Sequence, residues 1–267
     1  MSKIKQKFSE LESKNEKALI AYMMVGYPSE KDTLSVLRGL IKGGADIIEL
    51  GFPFSDPLAD GPVIQNASTI SLEKGTKINK FFSLVKKIRK ETEIPLVLMT
   101  YTNILYHKGY KKFIHDAINV GIDGFIIPDM SIEESKEYLN FARKEKADTI
   151  FLISPNTTKN RLEEIAKKST GFLYLVAVYG TTGIKTGIKN YTIKAIKDTK
   201  KIVKGKIPIG VGFGVSTPQD VKKFVTTGAD AIIVGSAFLR LVEKTPSNKL
   251  ENKIASFTKS LKNQTKF

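Results

Sequence analysis

Gly44-Ala45-Asp46-Ile47-Ile48-Glu49-Leu50-Gly51 opens a pattern that returns along the chain. Gly121-Ile122-Asp123 precedes Gly124 to Ile127, and Gly228-Ala229-Asp230 precedes Ala231 to Gly235. Lys146-Ala147-Asp148 before Thr149 to Ser154 is a fourth, weaker copy without the glycine. Each copy reads as a helix C-cap, a short turn and a strand. Glycine takes the left-handed conformation that ends a helix, and a continuous apolar run suits a strand covered on both faces. One βα unit is therefore repeated.

Outward from these copies lie further short apolar runs: Ala18 to Val25, Pro95 to Met99, Phe172 to Val176 and Ile209 to Gly212. Together they make eight candidate strands. Helical stretches alternate with them, opened by Ser29-Glu30-Lys31-Asp32, Ser131-Ile132-Glu133-Glu134 and Thr217-Pro218-Gln219-Asp220, the last with proline at the first helical position. Met1 to Ser13 predicts a leading amphipathic helix through Ile4, Phe8 and Leu11, and the Lys-rich tail from Lys249 a final surface helix with a frayed end. This alternation predicts an α/β fold, a single-domain (β/α)8 TIM barrel over residues 1–267 with an extra N-terminal helix. A doubly wound open sheet is the alternative, but no Gly-x-Gly-x-x-Gly follows the first strand, which counts against a dinucleotide-binding version.

Composition narrows the chemistry. The chain has 267 residues, no cysteine and two histidines, so disulfides, thiolate metal sites and a His-rich metal site are excluded. His107 and His115 read as structural or surface residues. A net charge of +16 invites a nucleic-acid reading, but only five of the 43 basic residues are arginine and no basic stripe is interleaved with aromatics. Solvated lysine faces account for the charge and are compatible with attraction of a small anion. No apolar run is long enough to span a bilayer, and Met1 to Lys17 lacks a signal-peptide core, so the expected location is cytoplasmic.

Three constellations could carry chemistry. Counted from the repeat glycine, Glu49 falls where Ile126 and Ile233 fall in the sister units, so a carboxyl occupies an aliphatic slot. Desolvation there favours the neutral acid, raises its pKa and suits it to exchange protons; pairing with a lysine or hydroxyl is the structural alternative. Asp56 and Asp60 follow in a loop stiffened by Pro53 and Pro57, on the rim where barrels hold functional groups. Asp60 before Gly61-Pro62 could also be a helix N-cap. The second constellation is Gly212-Phe213-Gly214-Val215-Ser216 with Gly235-Ser236, loops placed to cradle a phosphate through backbone amides. The third, Tyr179 to Gly187, has the glycines and threonines of a mobile lid or of an ordinary flexible loop.

Ile48-Glu49-Leu50-Gly51-Phe52-Pro53-Phe54-Ser55-Asp56-Pro57-Leu58-Ala59-Asp60-Gly61-Pro62 resembles the signature of the tryptophan synthase alpha chain family. The likeness extends to Gly26-Tyr27-Pro28, Met99 to Asn103, Pro128-Asp129 with Glu133-Glu134, Thr182-Gly183, Gly212 to Gly214 and Gly235-Ser236. The resemblance implies a barrel that cleaves indole-3-glycerol phosphate to indole and glyceraldehyde 3-phosphate without metal or organic cofactor. It implies Glu49 as the proton-transferring acid and Asp60 as the ionised group on the ring N–H. Phosphate would rest on Gly183, Gly214, Gly235 and Ser236. Tyr22, Met99, Tyr101, Ile153 and Phe213 would contact the indole, Tyr174 would position Glu49 or the substrate, and Thr182 would bond Asp60 when the lid closes.

The implied partner is a pyridoxal-phosphate-dependent beta chain in an αββα assembly, met by Pro53, Asp56 and Asn103; a stand-alone lyase is the alternative. Ala177, Thr181 and Lys185 depart from the family's lid pattern, and Lys185 keeps the charge of an arginine but not its planar fork. Met130-Ser131 replaces the family's Leu-Pro, with Ser131 still able to cap the next helix.

Overall fold

The computed structural model describes residues 1–176, 190–212 and 214–266. Nine parallel strands form one sheet: β1 (Ala18–Met24), β2 (Ile47–Gly51), β3 (Leu96–Met99), β4 (Gly124–Ile126), β5 (Asp148–Ile150), β6 (Leu152–Ile153), β7 (Leu173–Val176), β8 (Ile209–Gly212) and β9 (Ala231–Val234). Their order is β5-β4-β3-β2-β1-β9-β8-β7-β6. Only Phe151 separates β5 from β6, so the two ends of the sheet are halves of one stretch and the barrel closes there. Eight strand positions were expected; the fifth is broken at Phe151, whose ring lies 6.3 Å from that of Tyr138. Its first half pairs with β4 and its second with β7.

Side chains alternate across the barrel wall as strand geometry requires. Ala18, Ile20, Ile47, Val97, Ile126, Ile150, Phe172, Tyr174, Ala231 and Ile233 form an interior cluster. Helix α1 (Lys3–Ser13) joins it from the N-terminal end through Ile4 and Leu11, with Phe8 tilted onto Phe172 at 6.1 Å. The leading helix therefore plugs the barrel floor.

The remaining helices are α2 (Glu30–Gly43), α3 (Pro62–Glu73), α4 (Ile78–Glu91), α5 (Thr102–Lys108), α6 (Tyr110–Asn119), α7 (Lys136–Lys144), α8 (Lys159–Lys168), α9 (Asn190–Val203), α10 (Pro218–Thr227), α11 (Ser236–Glu243) and α12 (Leu250–Lys262). Ser29 caps α2, and Thr217 with Asp220 forms a capping box on α10, as their spacing predicts. Ser131 differs. It bonds Glu134 in a turn, and α7 begins only at Lys136.

The repeated Gly-x-Asp serves the fold. Gly44, Gly121 and Gly228 all have positive φ, and in the fourth copy Lys146 adopts it at φ 59°. Asp46 accepts from Leu19 N and Lys262 Nζ, Asp123 from Leu96 N and Arg89, and Asp230 from Ile209 N and Lys200. Each carboxylate thus ties an amide at the start of the neighbouring strand to a cation, with each charge-assisted bond worth roughly 1.5–3 kcal/mol. Asp148 lacks this arrangement: among the described residues its Oδ2 is buried without a partner. Thr149 N instead bonds Thr170 Oγ1.

The tail corrects the expectation of a frayed surface helix. α12 packs so closely on α2 that a Cβ added at Gly39 would lie 2.7 Å from Glu251 O, and one at Gly43 2.3 Å from Thr258 Cβ. Beyond it, Lys17 N bonds Thr265 O. Glycines permit the close approach, and Lys262 is buried against Asp46 and Glu16. Among the described residues no helix is long and apolar enough to cross a membrane.

Candidate active site

Glu49 occupies the middle of β2, where its Cα partners are Tyr22 on β1 and Val97 on β3. Ile47 precedes it on the inward face. The side chain is 2% exposed. Among the described residues Glu49 Oε2 has no hydrogen-bond partner, so the structural alternative of a fully paired carboxylate does not describe it. Burial, reinforced by the nearby Asp60 charge, pushes its pKa up to about 8. At neutral pH it holds a proton.

Asp60 closes the turn after β2 and is also buried. It is not the cap of α3: Gly61 takes that position and makes no side-chain cap bond. The Tyr101 hydroxyl donates to Asp60 Oδ2 at 2.8 Å, and Gln65 Nε2 donates to its backbone oxygen. Burial lifts Asp60 to about 6 while the Tyr101 bond pulls it down. Burial lifts both acids, and Asp60 is ionised at neutral pH because it sits lower.

Tyr101 is the N-cap residue of α5, accepts from Ala59 N and stacks on Phe54 at 5.1 Å between ring centroids. It fastens the β2 loop to the β3 loop. Tyr174 lies inside the barrel, its hydroxyl against Gly212, where an added Cβ would come within 2.4 Å. Met99 is partly exposed at the end of β3 beside the interior cluster. Ile153 is placed differently from expectation. It pairs with outward Leu175, whereas Leu152 pairs with inward Tyr174 and packs on the interior cluster. The strand's two-residue period, shifted by no loop, could have identified Leu152.

After β9, which neighbours β1, Gly235 is the N-cap residue of α11 and Ser236 its first residue. The first amides bonded within that helix belong to Phe238 and Leu239, both to Gly235 O. Gly214 is exposed with φ +77° and no atom near the position of a Cβ. Such a helix start and an open glycine turn suit an anion. Thr182, Gly183 and Phe213 lie outside the described residues, as do Ala177, Thr181 and Lys185. Among the described residues no group of three or more His, Asp or Glu side chains could hold a metal ion. His107 is exposed, and His115 lies on the surface against Glu145.

Of the residues expected to meet a partner, Asp56 and Asn103 are exposed, but Pro53 is buried in this chain and offers no surface. Leu58 and Tyr106, 83% and 77% exposed, lie on the same two rim segments and were not singled out by the sequence pattern.

Comparison with known proteins finds relatives over nearly the whole chain. The family model described as tryptophan synthase alpha chain matches residues 8–266. The tryptophan synthase alpha chain of Methanosarcina barkeri is 42% identical over 264 residues, covering 99% of this chain and 97% of the relative. That of Petrotoga mobilis is 41% identical, covering 98% and 99%. Among solved structures, tryptophan synthase of Mycobacterium tuberculosis is similar with a TM-score of 0.88 at 28% identity, covering 100% of this chain and 99% of that one. The α2β2 complex of Pyrococcus furiosus gives 0.86 at 36% identity, covering 92% and 98%.

Proposed function

The chain belongs to the tryptophan synthase alpha chain family, and from that premise we infer that it cleaves indole-3-glycerol phosphate to indole and glyceraldehyde 3-phosphate. It acts as the alpha subunit of an αββα assembly and passes indole to the beta chain, which carries the pyridoxal phosphate. The similar solved chains come from tryptophan synthase complexes, which favours this reading over a stand-alone lyase. We assign the reaction to the cytoplasm, which cell fractionation tests.

One observation carries the residue roles: a buried carboxyl without a partner on Oε2, on the inner wall of a barrel, beside a second buried acid. The carbon–carbon bond breaks once indole C3 is protonated, because the ring then accepts the bonding pair. Glu49, protonated at neutral pH, delivers that proton. Asp60, ionised, accepts the hydrogen bond of the ring N–H and stabilises the cationic indolenine. As the bond breaks, the glycerol hydroxyl on the leaving carbon becomes the aldehyde and gives its proton to the Glu49 carboxylate. The acid is restored, and no proton is gained or lost overall.

Phosphate rests on the amides at Gly214, Gly235 and Ser236, with Gly183 completing the cradle and Thr182 bonding Asp60 on closure. Tyr22, Met99, Tyr101, Leu152, Tyr174 and Phe213 wall the ring and chain. Incubating the purified protein with indole-3-glycerol phosphate should release indole, faster when beta chain is added. No indole under either condition overturns the assignment.

A further inference from the structure

Tyr22 enters the site as more than an aromatic wall. Its ring begins against the first turn of α11: a Cβ added at Gly235 would lie 3.5 Å from Tyr22 Cβ. The ring ends on the strand of Glu49, where a Cβ added at Gly51 would lie 2.1 Å from Tyr22 Oη. Gly51 has no positive φ. Its lack of a side chain therefore answers to space, and the space is filled by the phenol oxygen and the ring edge that carries it.

The ionisable groups near enough to act electrostatically on that hydroxyl are Asp60 from the β2 loop, Glu49 from β2, Tyr101 from the start of α5 and Tyr174 from β7. Burial and the two carboxyls keep the hydroxyl protonated. Tyr101 donates to Asp60. Tyr22 Oη, by contrast, makes no hydrogen bond to any described residue, and it is not among the polar atoms sealed away without a partner. A protonated phenol in a buried site ordinarily has an acceptor. Here the acceptor must come from the lumen.

The proposed function sets the phosphate at the start of α11 and the ring N–H at Asp60, and the glycerol chain spans the gap. Tyr22 runs along the same span, from Gly235 to Gly51. We propose, resting on that reading of the site, that the Tyr22 hydroxyl donates a hydrogen bond to a hydroxyl oxygen of the glycerol chain. The contact selects the hydroxylated chain, because a chain lacking that oxygen leaves the buried donor unpaired.

Tyr22→Phe keeps the ring and removes only the oxygen. Its turnover of indole-3-glycerol phosphate is measured beside its affinity for an indolyl-alkyl phosphate without glycerol hydroxyls. One neutral hydrogen bond corresponds to roughly a three- to ten-fold loss in kcat/KM, carried mainly by KM. Affinity for the deoxy ligand should stay within about two-fold of the native value.

An equal loss for both ligands in Tyr22→Phe, or no loss for either, overturns the proposal. The two readings fail separately. If the native protein forms no indole, the assigned reaction is wrong and this contact falls with it. If the native protein forms indole and Tyr22→Phe matches it, only the contact is wrong.

Discussion

The Tyr101 hydroxyl meets Asp60 Oδ2 at 2.8 Å, joining the loop after β2 to the first turn of α5. Burial drives Asp60 up to about 6 and this bond works against burial. Tyr101→Phe should therefore raise the Asp60 pKa, so that less of it is ionised at neutral pH. The acid limb of kcat/KM should move to higher pH, with a larger loss at pH 6 than at pH 8, on the order of three- to ten-fold at the lower value. A pH–rate profile checks this; a limb that stays in place removes Tyr101 from the role.

Glu49→Gln should abolish indole formation while leaving the fold intact. It should also flatten the pH dependence of stability. Glu49 rises from 4.5 to about 8 on folding, so the folded state keeps a proton that the unfolded chain releases. Its contribution is full below the unfolded value and is lost as pH rises through the folded one. Asp60 has the same sign over a lower window, up to about 6. Urea unfolding at about pH 5, 7 and 9 should show the native protein losing stability above pH 6 more steeply than the variant. Parallel curves would place the glutamate in water.

The barrel was legible because its unit is written several times over, and Glu49 because the repeat fixes which slot is inward. Asp60 was ambiguous. Asp-Gly-Pro permits either a cap or a free carboxyl, and only the seating of Gly61 as the cap residue decides between them. The Gly-x-Asp copies looked alike, yet their partners come from distant helices. Lys262, the cation for Asp46, lies 216 residues away, so no local pattern could show that the tail is clamped. The break at Phe151 exchanges one strand neighbour for another, a consequence of barrel closure that an apolar run does not encode. Just beyond that break Ile153, expected as an indole contact, pairs with Leu175, and Leu152 pairs with inward Tyr174.

Tyr106 and Leu58 stand almost fully in solvent on the rim that also carries Asp56 and Asn103. Exposed large apolar side chains beside a functional rim mark a docking surface, and aromatic residues dominate such contacts. Tyr106→Ala should weaken association with the beta chain by about ten-fold or more. The activity of the isolated chain should be unchanged. Titrating beta chain against indole formation measures both; native affinity in the variant would move the contact elsewhere on the rim.

Lys262 Nζ lies 2.8 Å from Asp46 Oδ2 and 3.0 Å from Glu16 Oε2, with all three side chains largely buried. Lys262→Met keeps the apolar stem and removes the charge, leaving Asp46 with only the Leu19 amide. An uncompensated buried carboxylate should cost on the order of 3 kcal/mol. Burial already raises the Asp46 pKa against the pull of Lys262, so without the lysine it rises further. The protonated acid is the form the variant tolerates. Its deficit should therefore be small in acid and grow as pH approaches neutrality. Asp46 sits at the floor of the barrel, immediately before β2, so turnover at temperatures where the variant is folded should match the native enzyme. Lys259→Met, on the exposed face of the same helix, should change stability by less than about 0.5 kcal/mol. Thermal unfolding of both variants at two pH values separates the outcomes, and equal midpoints would mean that the tail is held by α2 packing alone.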